Sequence, residues 1–144
     1  MRPIKTIATI IVLMMFSLSV SSTEVDTPDK RISLDLTKAE EANFLGEMRQ
    51  MLASIQGIMA GIGDNDRELI ISSAGSSGNK MARATPESIK KKTPVAFKEI
   101  GGPTHMMFEE LVVRAEDDDM ETLAAFTGKL MKQCLACHAM FKVN

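Results

Sequence analysis

The feature of this chain that most restricts its fold is an apolar pattern of helical period in its first half. From residue 44 to residue 62, apolar side chains recur three and four residues apart, which is the spacing of one face of a helix. Thr37 followed by Glu40 forms a capping box ahead of this pattern, because the hydroxyl and the carboxylate satisfy unpaired amide donors at a helix start. Two glycines, Gly61 and Gly63, are expected to end the helix.

Three further helical regions follow this first helix. Residues 64–84 predict a shorter second helix that is interrupted at residues 75–78, and residues 85–94 predict a linker. A third helical region is expected to break or kink at Gly101-Gly102-Pro103, and a fourth runs over residues 120–141. No stretch shows the period-two alternation of a strand, so the predicted fold class is all-α, a four-helix antiparallel up-down-up-down bundle.

The N-terminal residues have the pattern of a secretory signal peptide. Two positive charges precede an almost wholly apolar stretch that is too short to span a bilayer comfortably, and small residues for cleavage follow it. We therefore predict a cleaved signal peptide over residues 1–22 and a periplasmic protein without membrane attachment after cleavage. Residues 23–36 are polar and show no sustained period, so they predict a flexible lead-in to a four-helix domain over residues 37–144.

Charge and length exclude several classes of function. Cleavage would lower the formal net charge from −2 to about −4 by removing Arg2 and Lys5, and this mildly acidic balance argues against a nucleic-acid partner. The remaining chain is the size of one domain with one core. The sequence contains no Ser/His/Asp arrangement, no phosphate-binding glycine loop and no convincing pair of acid and base carboxylates, so an enzyme is not predicted.

The only two cysteines belong to one short motif near the C-terminus. Cys134-Leu135-Ala136-Cys137-His138 is the C-x-x-C-H signature for covalent attachment of c-type haem. Positions i, i+3 and i+4 share one face of a helix, so both sulfurs reach the vinyl groups along one porphyrin edge while the imidazole lies beneath the iron. We therefore predict one haem c per chain, with Cys134 and Cys137 as its thioether residues and His138 as an axial iron ligand.

Two other chemistries use the same residues. A thioredoxin-like dithiol would need a strand before the motif and the motif at the start of a helix, whereas here it lies near the end of a helical stretch. A zinc site is chemically possible from Cys134, Cys137, His138 and His105, although this ligand spacing is unusual for tetrahedral zinc. Both readings would make the chain a non-haem interaction module.

The residues around the motif resemble those of a known family. The segment from Gly128 to Lys142 is similar to the C-terminal helix of the class II c-type cytochromes, the cytochrome c′ family, in which an aromatic and a basic residue follow the haem histidine by three and four positions. Phe141 and Lys142 hold those positions here. The resemblance implies a four-helix bundle, a periplasmic location and a haem between the helices near one end, with Phe141 beside the porphyrin and Lys142 at the haem edge or a propionate. Family members often form dimers, so a homodimer is open.

The resemblance also implies where the sixth iron ligand lies. In the family the distal residue comes from the first helix, and low-spin members use a methionine there; Met48 falls at the matching depth, and Met51 is the alternative on the same face. The family's common arginine four residues before this position is replaced by Phe44, so Arg49 is the candidate for the propionates. His105 is a third candidate ligand, and it is equally well a capping, surface or propionate-binding histidine.

Function depends on that sixth ligand. Methionine ligation raises the reduction potential and favours a one-electron carrier that serves redox partner proteins. An open site would instead make the chain a five-coordinate haem protein that binds NO or CO. Lys90, Lys91 and Lys92 form a basic cluster that is either a docking patch for an acidic redox partner or an ordinary solvated surface.

Overall fold

The computed structural model describes residues 28–143, which form a mostly helical structure. The expected signal peptide, residues 1–22, lies outside the described residues. No helix in the described part of the chain is long and apolar enough to cross a membrane. Residues 28–143 form two short strands and six helices: β1 (Ile32–Ser33), α1 (Lys38–Asp64), α2 (Arg67–Gly75), α3 (Asn79–Ala84), α4 (Glu87–Lys92), α5 (Val95–Asp117), α6 (Met120–Met140) and β2 (Phe141–Lys142).

Buried apolar side chains form two separate clusters. The larger one, called the main core, joins α1, α2, α5 and α6 and comprises Ile58, Ile70, Ala74, Phe108, Leu111, Ala115, Leu123, Phe126 and Leu130. The smaller one, called the terminal cluster, comprises Leu34, Leu36, Phe44, Ile89 and Phe141. Both clusters contact α1, so this helix connects the two halves of the molecule.

The first helix begins as the capping box predicts and ends later than the glycines predict. The Thr37 hydroxyl accepts a hydrogen bond from the Glu40 amide at 3.4 Å, and the Glu40 carboxylate accepts one from the Thr37 amide at 2.9 Å. The prediction that Gly61 and Gly63 end the helix is wrong, because α1 continues to Asp64. A Cβ atom at Gly61 would lie 2.7 Å from a side-chain carbon of Ile70 and would force α2 away, so this glycine permits a close helix contact.

The region between α1 and α5 is more helical than the sequence predicts. The interruption at residues 75–78 is confirmed, since α2 ends at Gly75 and α3 begins at Asn79. The expected linker over residues 85–94 instead contains α4, whose Ile89 is buried in the terminal cluster. Pro86 precedes this short helix, a position where the missing amide hydrogen of proline costs nothing. Burial of Ile89 thus explains why a weak local pattern becomes a helix.

Of the break or kink predicted at Gly101-Gly102-Pro103, the break is wrong. Helix α5 is continuous from Val95 to Asp117, with Pro103 inside it. Phe97 packs against the terminal cluster on one side of the glycines, and Phe108 is fully buried in the main core on the other. Because tertiary packing contributes more to helix stability than local propensity does, these two anchors hold the helix together across an unfavourable sequence.

The expected flexible lead-in is docked where the structure describes it. Residues 28–36, called the strap, cross the C-terminal end of α6. Strand β1 pairs with β2 in parallel, with Ile32 opposite Phe141, and the Leu34 amide donates to the Lys142 carbonyl at 3.0 Å. Leu34 and Leu36 are buried in the terminal cluster. The strap is therefore docked, whereas the sequence predicts a flexible lead-in. Its strand has only two residues, so the structure is still mostly helical.

The helices pack in a closed series around the main core. Helix α1 contacts α2, α2 contacts α5, α5 contacts α6, and α6 contacts α1 again. Helix α3 also contacts α5. The C-terminal end of α6 lies next to the strap and the terminal cluster, so the C-x-x-C-H motif is held between a helical core and a non-helical segment.

Candidate functional site at the end of helix α6

Helix α6 carries the motif in its last two turns. Asp119 caps the helix start, where its carboxylate accepts a hydrogen bond from the Thr122 amide at 2.7 Å. One face of the helix is then buried in the main core through Leu123, Phe126, Thr127 and Leu130. The same face continues into Cys134 and Cys137 by helical spacing, so packing of the first half of α6 fixes the direction of both thiols.

Both cysteines are free and half-buried. Burial raises the pKa of the Cys134 thiol, partly offset by a backbone hydrogen bond, and burial together with the neighbouring Cys134 raises the pKa of the Cys137 thiol. The Cys134 sulfur lies 3.9 Å from the Leu130 carbonyl oxygen. These raised pKa values are the reverse of the lowered pKa that a dithiol redox centre needs.

His138 presents its ring to solvent. Within residues 28–143 the imidazole has no hydrogen-bond or ion-pair partner. Its backbone carbonyl accepts a hydrogen bond from the Arg31 guanidinium at 3.4 Å, which ties the strap to this turn of α6. Arg31 is itself held by bonds of 2.9 and 3.0 Å to the Asp29 carboxylate, and these bonds keep the pKa of Asp29 well below its usual range. The ring nitrogens are therefore available to a ligand on a fixed backbone.

The two candidate methionines of α1 lie against different clusters. Met48 is half-buried and packs against the terminal cluster, and Cys137 packs against that same cluster. Met51 packs against the main core. Of the two, Met48 is thus the one that shares an apolar environment with the attachment motif.

His105 lies in a polar contact among three elements away from the motif. Its Nδ1 atom donates to the Ser77 carbonyl at 2.7 Å, and the Ser77 hydroxyl lies 2.8 Å from the Ser54 hydroxyl. These residues belong to α5, the turn before α3, and α1 respectively. His105 therefore helps to hold these helices together.

The structure offers no ligand set for zinc. Within residues 28–143, no three histidine, cysteine, aspartate or glutamate side chains are arranged to hold a metal ion. The proposed set of Cys134, Cys137, His138 and His105 is therefore not assembled. The dithiol alternative meets a similar difficulty, because the motif ends a helix and, within residues 28–143, the strand adjacent to it in sequence, β2, follows the motif.

The remaining predicted residues have distinct surroundings. Phe141 is buried, and its ring lies 5.3 Å from the Phe97 ring at an angle of 74°. Phe97 also lies 5.8 Å from Phe44, so three aromatic rings are in series beside Met48 and Cys137. The Lys142 amine lies 3.6 Å from the Asp29 carboxylate, and Arg49 is exposed.

Sequence reasoning missed two components of this site. The spacing of Phe97 predicts only an apolar position of the third helical region, and nothing in that spacing indicates contact with both Phe44 and Phe141. The strap did carry a signal, because Leu34 and Leu36 alternate with polar residues, as in a half-buried extended segment. That signal was too short to stand out from a polar stretch.

The donor set of this site fits a covalently attached haem. Two free thiols lie on one side of α6, an unpartnered imidazole follows them directly, and a thioether side chain lies across an apolar, aromatic cluster. These are the ligand types that c-type haem uses, whereas none of them is a hard oxygen ligand. Comparisons of the chain with protein families, with curated proteins and with solved structures found no match.

Proposed function

We propose that this chain is an exported c-type cytochrome that carries single electrons between redox partner proteins. The observation that carries the proposal is that Met48 of α1 and Cys137 of α6 pack against the same apolar cluster. That arrangement supports one haem held between the two helices, with His138 and the Met48 sulfur as its candidate iron ligands.

The residues of the motif would hold the haem. Cys134 and Cys137 would form thioether bonds to it, and His138 would supply a nitrogen ligand to its iron. When bound, the haem supplies an iron that changes by one electron between its ferric and ferrous states. Arg31 holds the His138 carbonyl from the strap, so the backbone that carries the imidazole keeps its position during that change.

Met48 would be the sixth ligand. A Met/His ligand pair gives a higher reduction potential than a bis-histidine pair, and an apolar surrounding excludes water from the iron. Phe44, Phe97 and Phe141 provide that surrounding. Lys142 already has the Asp29 carboxylate as a partner, so the exposed Arg49 is the better candidate for a propionate.

The family and topology are part of the same proposal. We assign the chain to the class II type, the cytochrome c′ family, with a four-helix antiparallel up-down-up-down bundle in which α2, α3 and α4 together occupy the second position. The closed series of contacts from α1 through α2 and α5 to α6 supports this topology. The periplasmic location and the cleavage of residues 1–22 also belong to this proposal.

Absorption spectroscopy of the exported protein tests the attachment. The chain is expressed in a host with haem-attachment machinery, and the spectra of its oxidised and reduced forms are recorded after denaturation and extraction of free haem. We expect haem that stays with the chain, and its loss in a Cys134→Ser, Cys137→Ser double variant. A chain that carries no covalent haem in this host would overturn the proposed function.

A matched pair of variants tests the sixth ligand. Ferric iron bound by methionine has a weak red charge-transfer band, which Met48→Ala should abolish and Met51→Ala should retain. Loss of the band in Met51→Ala alone would assign the ligand to Met51. A high-spin spectrum of the unsubstituted protein that shifts on addition of NO or CO would exclude the carrier and select the gas-binding function.

A further inference from the structure

The outer face of α6 carries positive charge that no carboxylate of the same helix end offsets. No aspartate or glutamate occurs from residue 122 to residue 143, although the whole chain has a formal net charge of −2. Lys129 and Lys132 are exposed on this face and form no ion pair within residues 28–143. The outer face of α6 is therefore locally positive on a chain that is acidic overall.

Apolar side chains occupy the centre of this face. Leu135 is 70% exposed and Met131 is 45% exposed, and these residues lie three and seven positions before His138 on one side of the helix. An exposed apolar centre with a polar rim is the composition of a protein interaction surface. Ile32 and Met140 extend the apolar part toward the strap, where they line an open depression together with Lys30.

The lysine cluster of residues 90–92 is different, because most of its charge is already compensated. The Lys92 amine lies 2.6 Å from the Glu40 carboxylate and 3.2 Å from the Asp35 carbonyl. The Lys90 amine lies 3.0 Å from the Glu87 carboxylate. These lysines hold α4 in place, so the cluster is a poor candidate for the docking patch that the sequence suggests.

We infer that the outer face of α6, formed by Lys129, Met131, Lys132 and Leu135 with Lys30 beside it, is the docking surface for an acidic partner protein. The inference rests on the proposed function for the meaning of the contact, because Leu135 of this face belongs to the attachment motif. Opposite charges attract within about 8–10 Å at physiological salt, so the local lysines outweigh the net charge of the whole chain at close approach. The partner must therefore present carboxylates around an apolar centre.

Binding of a short poly-L-glutamate peptide tests the surface without any redox assay. The isotope-labelled protein, isolated after export and reduced, is titrated with the peptide and followed by NMR. We expect shifts at the amides of residues 129–139 and about tenfold weaker binding in a Lys129→Glu, Lys132→Glu double variant. The control Lys91→Glu, on an exposed lysine of the other cluster, should change binding less than about twofold.

Oxidation by ferricyanide gives a second readout at the same face. One electron passes from the ferrous protein to ferricyanide, giving the ferric protein and ferrocyanide, and the rate should fall as salt is added because the anion is attracted locally. The double variant should reverse this salt dependence, and Lys91→Glu should keep it. A chain without haem would end the proposed function, and the peptide titration would still report on the surface.

Three results would overturn the inference. Peptide shifts centred on residues 90–92 would move the docking surface to that cluster. Shifts at α6 that appear on concentrating the protein without peptide would make the face a contact between copies of the chain. Tighter binding to phosphatidylserine vesicles than to the peptide would make it a lipid-binding surface.

Discussion

The main core and the terminal cluster are built from different material. The main core takes its residues from four helices, and all of them except Phe126 are fully buried. The terminal cluster takes its residues from the strap, the start of α1, the short helix α4 and the strand β2. It also borders Cys137 and Met48, the residues to which the proposed function assigns chemistry.

This difference indicates which of the two clusters tolerates substitution of its side chains more readily. The main core is stabilised chiefly by burial of apolar area, and apolar substitutions that keep its volume are tolerated best. The terminal cluster depends on short elements that are far apart in the sequence and that polar contacts hold together, such as the bond from Lys92 to Glu40 and the bond from Arg31 to His138. We expect the first region to determine stability and the second to determine the environment of the haem.

The largest effect is expected from a cavity in the main core. Phe108→Ala should lower the free energy of unfolding by about 3–5 kcal/mol, because Phe108 is fully buried among α1, α2 and α6. Denaturant unfolding measures this loss. Val113→Ala on the same helix is the control; Val113 is 67% exposed, and its loss should stay within about 0.5 kcal/mol. If Phe108→Ala removed the red charge-transfer band of the haem while the free energy of unfolding stayed unchanged, the division of roles between the two clusters would be wrong.

A cavity in the terminal cluster should cost less and act locally. Leu34→Ala is expected to lower the free energy of unfolding by about 2 kcal/mol, the low end for a buried leucine, because the strap can collapse onto Phe141. Hydrogen exchange of the Leu34 amide, which bonds to the Lys142 carbonyl, should accelerate while amides of the main core do not. Ile32→Ala, on the exposed side of the strap, is the control. Equal acceleration in both regions would merge the two clusters into one cooperative unit.

Two glycines of α1 sharpen the comparison along a single helix. Gly61→Ala should destabilise the protein by about 1–3 kcal/mol, because its Cβ would lie 2.8 Å from the Asp66 backbone oxygen as well as against Ile70. Gly46→Ala, in the half near the terminal cluster, has nothing within 4 Å and should stabilise it by about 0.5–1 kcal/mol through helix propensity. Thermal unfolding of both variants measures the contrast. Destabilisation by Gly46→Ala would mean that this half of α1 is also closely covered.

The smallest effect concerns acid stability near the terminal cluster. The hydrogen bond from Lys92, followed by that from the Thr37 amide, lowers the pKa of Glu40 from 4.5 to about 2. A carboxyl group with a lowered pKa stabilises the folded state above pH 4.5, and this contribution is lost as the pH falls toward 2. Lys92→Met should flatten the pH dependence of stability over this interval, and Lys91→Met should not. If the free energy of unfolding fell equally with pH in Lys92→Met and in the unsubstituted protein, Lys92 would not be the cause of the lowered pKa of Glu40.

Much of the helical framework was readable from local chemistry. The capping box at Thr37, the interruption after Gly75 and the cap at the start of α6 each depend on neighbouring residues alone, and local patterns identify such features well. The errors at Gly61 and at Gly101-Gly102-Pro103 have one cause. Glycine and proline weaken an isolated helix, but contacts with other helices outweighed that preference here.

In the candidate site, too, some features follow from the sequence and others only from the tertiary structure. The sequence by itself determined the motif and its place in the last helix, because these follow from residue types and spacing along one chain segment. The pair of methionines from which a sixth ligand is proposed follows from the resemblance to the class II cytochromes. Only the tertiary structure decided that Met48 faces the cluster of Cys137, that Met51 faces the main core, and that His105 is engaged with Ser77. The physical reason is that packing between distant segments selects which side of a helix is covered, and by what, and no spacing within a single helix contains that information.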